Sequence, residues 1–254
     1  MSEPILQVHE LSKVYRMGDA QVPVLRSVNL SIAAGTFSLI VGPSGCGKST
    51  LMHLMGLLDK PTGGTVRYRG VDAFAQSASW RERTRNQAVG FVFQSYHLLP
   101  EFSVLDNILL PHMIQYGPLQ WPGVRGACRQ KAEAILERVG LAERMDFRPS
   151  RLSGGERQRV AVARALVHEP AIVFADEPTG NLDTRSGWQV FEMLRELTAG
   201  GERTVVMVTH DSRFIPEAQR VLYLAGGRIV DQETAARLTL EHQRKPTHKG
   251  KGKG

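Results

Sequence analysis

Cysteine is scarce: Cys46 and Cys128 are the two among 254 residues. Two thiols make neither a disulfide framework nor a metal-ligand cluster, and they fit a reducing compartment. Long apolar runs are missing as well. "FSLIV", "AIVFA" and "TVVMV" fall far short of the roughly 20 residues a bilayer demands. The amino terminus, "MSEPILQVHE", carries acid and no apolar signal core. The expectation is a chain that neither spans a membrane nor is secreted. Acid is absent from the C-terminal stretch "RKPTHKGKGKG", where Arg244, Lys245, Lys249, Lys251 and Lys253 supply five charges of a formal net +7. The rest is therefore near neutral, and the high isoelectric point says little about the globular part. Residues 241–254 read as a basic, disordered, solvated tail. A weak anchor for anionic lipid or nucleic acid is the alternative, and no nucleic-acid partner is expected. No internal repeat is visible.

What is present suffices for a full core, with 42% hydrophobic residues. "LQVHEL", "SVNLSI", "FSLIVG", "TVRYRG", "AVGFVF", "AIVFAD", "TVVMVT" and "RVLYLA" read as strands, several of them continuously apolar, as buried parallel strands are. Helical patterning in "KSTLMHLMGLL", "RQKAEAILERVG", "GERQRVAVARALV" and "RSGWQVFEMLRELT" lies between them. This predicts an α/β doubly wound sheet with helices on both faces. Between Gln94 and Pro149 the strand signal fades, which predicts an inserted helical subdomain over about residues 95–160. Within it "YGPLQWPGVRG" holds three glycines and two prolines and reads as a loop between helices.

The stretch "VGPSGCGKST", Val41 to Thr50, has the form GxxxxGKS from Gly42 to Ser49, after an apolar strand and before a helix. Gly42, Gly45 and Gly47 let successive N–H groups turn inward around phosphate oxygens, and the helix start adds a favourable dipole. Lys48 then neutralises terminal phosphates and Ser49 can hold Mg²⁺. A glycine-rich turn with an incidental lysine is the plainer alternative, opposed by the strand–loop–helix order. The expected ligand is a nucleoside triphosphate. "AIVFADEP" brings Asp176 and Glu177 to a second strand end. Asp176 suits the metal and its water shell, leaving Glu177 to orient and deprotonate the attacking water. "VGFVFQ" and "TVVMVTH" end at Gln94 and His210. In open parallel sheets the carboxyl edge is the ligand edge, so all four strands are expected to aim polar groups at one rim.

"RLSGGERQRVAVARAL" sets Ser153 before an amphipathic helix, with Glu156 at capping-box spacing. A capped helix explains the serine and the glutamate. Gly154 and Gly155 are poor helix formers, and their presence on a first turn suggests close approach of a ligand to the backbone. The stretch reads as a second phosphate-binding helix terminus.

Taken together, "GPSGCGKST", "LSGGERQ", "AIVFADEPTGNLD" and "VTH" resemble the nucleotide-binding subunit of ATP-binding cassette (ABC) transporters, over about Ile5 to Val230. The resemblance implies a P-loop NTPase cassette spanning 1–240, with a mainly parallel core sheet, an antiparallel β part near the N-terminus and the helical subdomain. It implies ATP and Mg²⁺ as ligands and an ATPase activity coupled to transport. Two copies would pair head to tail, with Ser153, Gly154, Gly155 and Glu156 of one copy capping ATP held on the other's Gly42–Thr50 loop, Pro43, Ser44 and Cys46 included. Tyr15 would stack on adenine. Gln94 would bind Mg²⁺ or water, Asp183 would lie at the subunit interface, and His210 would contact the γ-phosphate. Glu156 stands where many members have glutamine, and Cys46 where serine is frequent. A thiol near a helix start can be reactive, so thiol reagents are expected to inhibit.

"FVFQSYHLLPEFSVLDNILLP" and the N-terminal pattern resemble the branch containing lipoprotein-releasing, macrolide-efflux, glycolipid-export and division-associated cassettes. That branch implies an integral membrane permease with a large extracytoplasmic domain, at the cytoplasmic face of the bacterial inner membrane. A regulatory cassette that switches a cell-envelope hydrolase stays open. A chromosome or repair ATPase would need sustained heptads between Thr50 and Ser153, which are absent, and a translation-factor cassette would normally carry two cassettes.

Overall fold

The computed structural model describes residues 4–235, 237 and 238. The basic segment 241–254 lies outside them. Two long strands open the chain, β1 (Pro4–Met17) and β2 (Ala20–Ala33), paired antiparallel. β1 also pairs with β4 (Gly63–Tyr68), which carries the two-residue β5 (Val71–Asp72), so four strands form an antiparallel sheet.

The second sheet has six strands. In spatial order they are β10 (Arg228–Val230), β9 (Arg220–Ala225), β3 (Phe37–Val41), β8 (Thr204–Thr209), β7 (Ile172–Asp176) and β6 (Val89–Phe93). All neighbours are parallel except β10 on β9. Continuous apolar runs are required because both faces are covered. Ile40, Phe174, Val206 and Val208 face α1 (Lys48–Met55) and the antiparallel sheet. Phe37, Leu39, Val173, Val205 and Met207 face α4 (Gly154–Leu166) and α5 (Thr184–Glu196). Phe191 of α5 is the hub of the second layer, with ring centroids 5.4 Å from Phe37 and 4.4 Å from Phe214.

Among the described residues no strand lies between β6 and β7. That interval holds α3 (Val104–Arg138), two 3-10 turns and α4, packed around a core of Ile108, Ala132, Leu136, Val160 and Ala163.

The loop expected between helices at "YGPLQWPGVRG" is corrected in extent: α3 is two helices meeting at a kink, and the residues on either side of one glycine are helical. The one break is Gly117, at φ 63° and ψ 175°. Glycine takes that conformation without strain, and Pro118 restarts the helix where an N–H would have no acceptor in any case. Trp121 packs partly buried against the helical core, which answers for its aromatic ring. α2 (Ala78–Ala88) escaped the pattern reading because it has no buried residue and hence no apolar stripe. β5 and β10 are too short to show alternation.

Candidate active site

The site is built by strand register. Val41 of β3 pairs with Thr209 of β8, Val208 of β8 with Asp176 of β7, and Asp176 with Phe93 of β6. The residues that follow each strand, Gly42, His210, Glu177 and Gln94, therefore leave the sheet side by side at its carboxyl edge. No sequence neighbourhood connects them; the parallel pairing does.

The Gly42–Gly47 turn has the geometry its glycines predict. Gly45 and Gly47 sit at φ 76° and 104°, and Gly47 is the N-cap of α1. Gly42 is needed for another reason, since a Cβ there would lie 2.1 Å from the Leu224 carbonyl oxygen. Lys48, 5% exposed, donates from Nζ to the Gly42 and Pro43 carbonyls at 3.0 Å each and stands 4.0 Å from Glu177 Oε1. Ser49 Oγ donates to Asp176 Oδ1 at 3.0 Å. Burial above all, with the Glu177 charge, pushes the Asp176 carboxyl above the usual range, against the Ser49 hydrogen bond and the His53 and Lys48 charges.

Glu177 holds a left-handed backbone, φ 44°, fixed by its N–H on the Val208 carbonyl at 2.9 Å. For a residue with a Cβ this conformation is strained, and it turns the carboxylate back toward the loop. Its Oε2 lies 3.0 Å from His210 Nδ1. Gln94 joins a reciprocal pair with Asn181: Nε2 to Asn181 Oδ1 at 3.5 Å, and Asn181 Nδ2 to the Gln94 carbonyl at 3.1 Å. Gly180 makes room for it, as a Cβ there would meet Gln94 Nε2 at 2.7 Å. Gly180 and Asn181 were not singled out from the sequence, because their partner is 87 residues away.

Ser153 and Glu156 form a full capping box on α4. The Ser153 N–H donates to Glu156 Oε2 at 2.8 Å, which holds the Glu156 carboxyl below its usual range. Asp183 caps α5 by accepting from the Ser186 N–H at 3.0 Å, and its carboxyl is lowered by the Ser186 hydroxyl first and by that N–H second. These contacts are local, and within one chain they tie neither residue to the Gly42–Thr50 loop. The two signature glycines have an intrachain reason as well. A Cβ on Gly155 would come 3.0 Å from Ser186 Oγ, and one on Gly154 3.2 Å from the Tyr96 hydroxyl. The glycine argument for ligand approach is thus weaker at Gly155 than the sequence suggested.

Tyr15 lies on β1, its hydroxyl donating to Asp59 Oδ2 at 2.8 Å. Cys46 is half-buried, and desolvation pushes its thiol up, outweighing the Lys48 charge. A thiol shifted in this direction is a weaker nucleophile than one activated by a helix start.

A rim of lysine, hydroxyl, two carboxylates, amide and imidazole around a glycine loop at a helix start has the chemistry that a triphosphate site requires. Comparison with known proteins agrees, since the family model described as "ABC transporter" matches residues 25–180. The chain belongs to the ABC transporter family. Members bind and hydrolyse ATP, and this chain is an ATPase of that kind, the ATP-binding subunit of a transporter. It is 47% identical over 226 residues to the lipoprotein-releasing system ATP-binding protein LolD of Bordetella pertussis, covering 89% of this chain and 95% of that one. With the LolD of Shewanella oneidensis it shares 45% over 235 residues, 92% of this chain and 100% of the relative. The ABC transporter ATP-binding protein YvrO of Bacillus subtilis is 42% identical over 229 residues, 90% and 97% of the two chains. Among solved structures, the dimeric bacterial cassette MJ0796 superposes with a TM-score of 0.81 at 36% identity, covering 89% of this chain and 97% of its own. The same cassette dimer in a post-hydrolysis state with ADP and Pi gives 0.80. Among the described residues no helix is long and apolar enough to cross a membrane.

Proposed function

We propose that two copies of this ABC ATPase pair head to tail around Mg·ATP at the cytoplasmic face of the bacterial inner membrane. They drive a permease with a large extracytoplasmic domain in export or mechanical extraction of a lipoprotein, lipid or drug-like substrate. The observation that carries the chemistry is the register-aligned rim, with Glu177 4.0 Å from Lys48 and 3.0 Å from His210. The lipoprotein reading is supported by relatives at 45–47% identity that are named for lipoprotein release.

The donor set fits Mg²⁺. Ser49 Oγ and Asp176 Oδ1 are hard oxygen ligands already 3.0 Å apart, with the Gln94 amide on the neighbouring strand end. Mg²⁺ typically takes one or two protein oxygens beside phosphates and water. When bound it offsets triphosphate charge. Glu177 accepts the proton of the attacking water through the Oε edge that His210 orients, and Lys48 balances the γ-phosphate charge. Tyr15 stacks on adenine. Ser153, Gly154, Gly155 and Glu156 of the second copy close over the phosphates, with Asp183 at the seam.

Permease docking is assigned to a cleft of about 570 Å³ between α2, α3 and β6, lined by Phe91, Phe93, His97, Pro111 and Ile114. Leu58 and Ile114 stand 43% and 71% exposed at its mouth. β6 runs straight from this cleft to Gln94, so nucleotide state and docking surface share one strand. The test is sedimentation of the Glu177→Gln chain with and without saturating Mg·ATP. A shift from monomer to dimer is expected, abolished by Ser153→Arg; a monomer that binds ATP refutes the motor.

A further inference from the structure

Lys13 and Asp59 lie 46 residues apart in sequence, one on β1 and one beyond α1, and belong to no motif. The fold brings them together under Tyr15. Asp59 Oδ2 accepts the Tyr15 hydroxyl at 2.8 Å, while its Oδ1 accepts Lys13 Nζ at 2.8 Å and the Lys60 N–H at 2.6 Å. Lys13 Nζ makes one more bond, to the Lys60 carbonyl at 2.6 Å, and stands 4.7 Å from the Tyr15 ring centroid. Lys13 is 9% exposed, unusual for lysine, and its charge is matched by Asp59. Burial opposes ionisation of Asp59, but the bonds from Lys13, Tyr15 and Lys60 outweigh it and hold the carboxyl below its usual range.

We infer that Lys13 and Asp59 are positioning residues for nucleotide binding: Asp59 anchors the Tyr15 hydroxyl, Lys13 covers one ring face, and the opposite face is presented, already oriented, to adenine. The inference rests on the reading of Tyr15 as the adenine platform. Its physical basis is that an aromatic ring near the end of a strand has two free χ angles. Stacking energy is reduced by whatever is needed to still them, so a ring held at its hydroxyl and on one face binds a base more tightly than a free one. A charge-assisted bond from a phenol to a carboxylate and a cation over the ring are both of the stronger kinds. Lys13 and Tyr15 sit two apart on β1, where the pairing with β2 shifts register between Lys13 and Val14, and the ammonium reaches the ring there.

The experiment measures dissociation constants of the full chain for Mg·ATP and for Mg·tripolyphosphate, which has the phosphates and no base. Asp59→Asn, Lys13→Met and Tyr15→Phe are each expected to weaken ATP by about fivefold. Tripolyphosphate binding should be unchanged, and the KM for ATP should rise while kcat is kept. Adding Tyr15→Phe to Asp59→Ala should cost nothing beyond Asp59→Ala alone, since the alanine has already removed the acceptor of the tyrosine hydroxyl. Equal weakening of ATP and tripolyphosphate would mean that Asp59 merely supports the end of α1, and would overturn the inference. Unchanged ATP affinity in Asp59→Asn and Lys13→Met, with Tyr15→Ala still selectively weakened, would overturn the brace but keep the platform. Unchanged ATP affinity in Tyr15→Ala would remove the platform itself, and the brace with it.

Discussion

Replacing Glu177 by glutamine keeps the side-chain volume and the Cβ, so the strained φ of 44° and the 2.9 Å bond to Val208 persist. What disappears is the proton acceptor 3.0 Å from His210 Nδ1 and the negative charge 4.0 Å from Lys48 Nζ. A positioned general base contributes about 10²–10⁴ in rate, or roughly 3–5 kcal/mol of barrier. Affinity for the anionic ligand should move the other way, because a carboxylate facing the triphosphate has been neutralised. The assay is phosphate release at saturating Mg·ATP, with ATP affinity measured separately. The expected result is a kcat lower by two to four orders of magnitude, as the general-base range requires, with binding equal or tighter. His210→Ala should also slow turnover, by misorienting Glu177. The double variant should fall no further than Glu177→Gln alone, since the two groups act as one unit. A Glu177→Gln chain that turns over within about threefold of the parent, at equal site occupancy, would refute the assignment of the base.

Four further outcomes follow from the structure. Gly42→Ala forces a Cβ to 2.1 Å from the Leu224 carbonyl, so β9 must move; unfolding in urea should show a loss of about 3 kcal/mol even without nucleotide. At Gly45 a Cβ meets nothing within 4 Å and the cost is the left-handed φ alone, so Gly45→Ala should lose only about 1 kcal/mol in the same measurement. For Glu156, the folded carboxyl ionises at lower pH than in the unfolded chain, held by the Ser153 N–H and hydroxyl. Its stabilisation is therefore complete above the ordinary glutamate range and is lost as pH falls through the folded value. Melting curves should show the parent above Glu156→Gln at neutral pH, with the gap closing in acid. Iodoacetamide should alkylate Cys46 more slowly than a free cysteine at the same pH, because desolvation keeps the thiol protonated; mass spectrometry of peptides follows this directly, and faster labelling would contradict the burial argument.

The sequence by itself determined the chemistry of each segment. Local order sufficed for the phosphate loop, since strand, glycines, lysine and helix start are consecutive. It sufficed for the capping box of Ser153 and Glu156, and for the buried strands, whose unbroken apolar runs follow from being covered on both faces. Tertiary structure decided what is adjacent to what. Parallel pairing placed Gln94, Glu177 and His210 on one rim. Close packing explained Gly42, where the Leu224 carbonyl far along the chain leaves no space for a Cβ, and set the Ser186 hydroxyl against Gly155 and the Gln94 amide against Gly180. Helix context narrowed the proline and glycine signal after Tyr116 to one residue, because a single left-handed glycine followed by proline ends one helix and starts the next with no loop between them. The Lys13–Asp59–Tyr15 contact was invisible for the same reason. Hydrogen bonds and charges act through space over a few ångströms, and a sequence reports distance only along the chain.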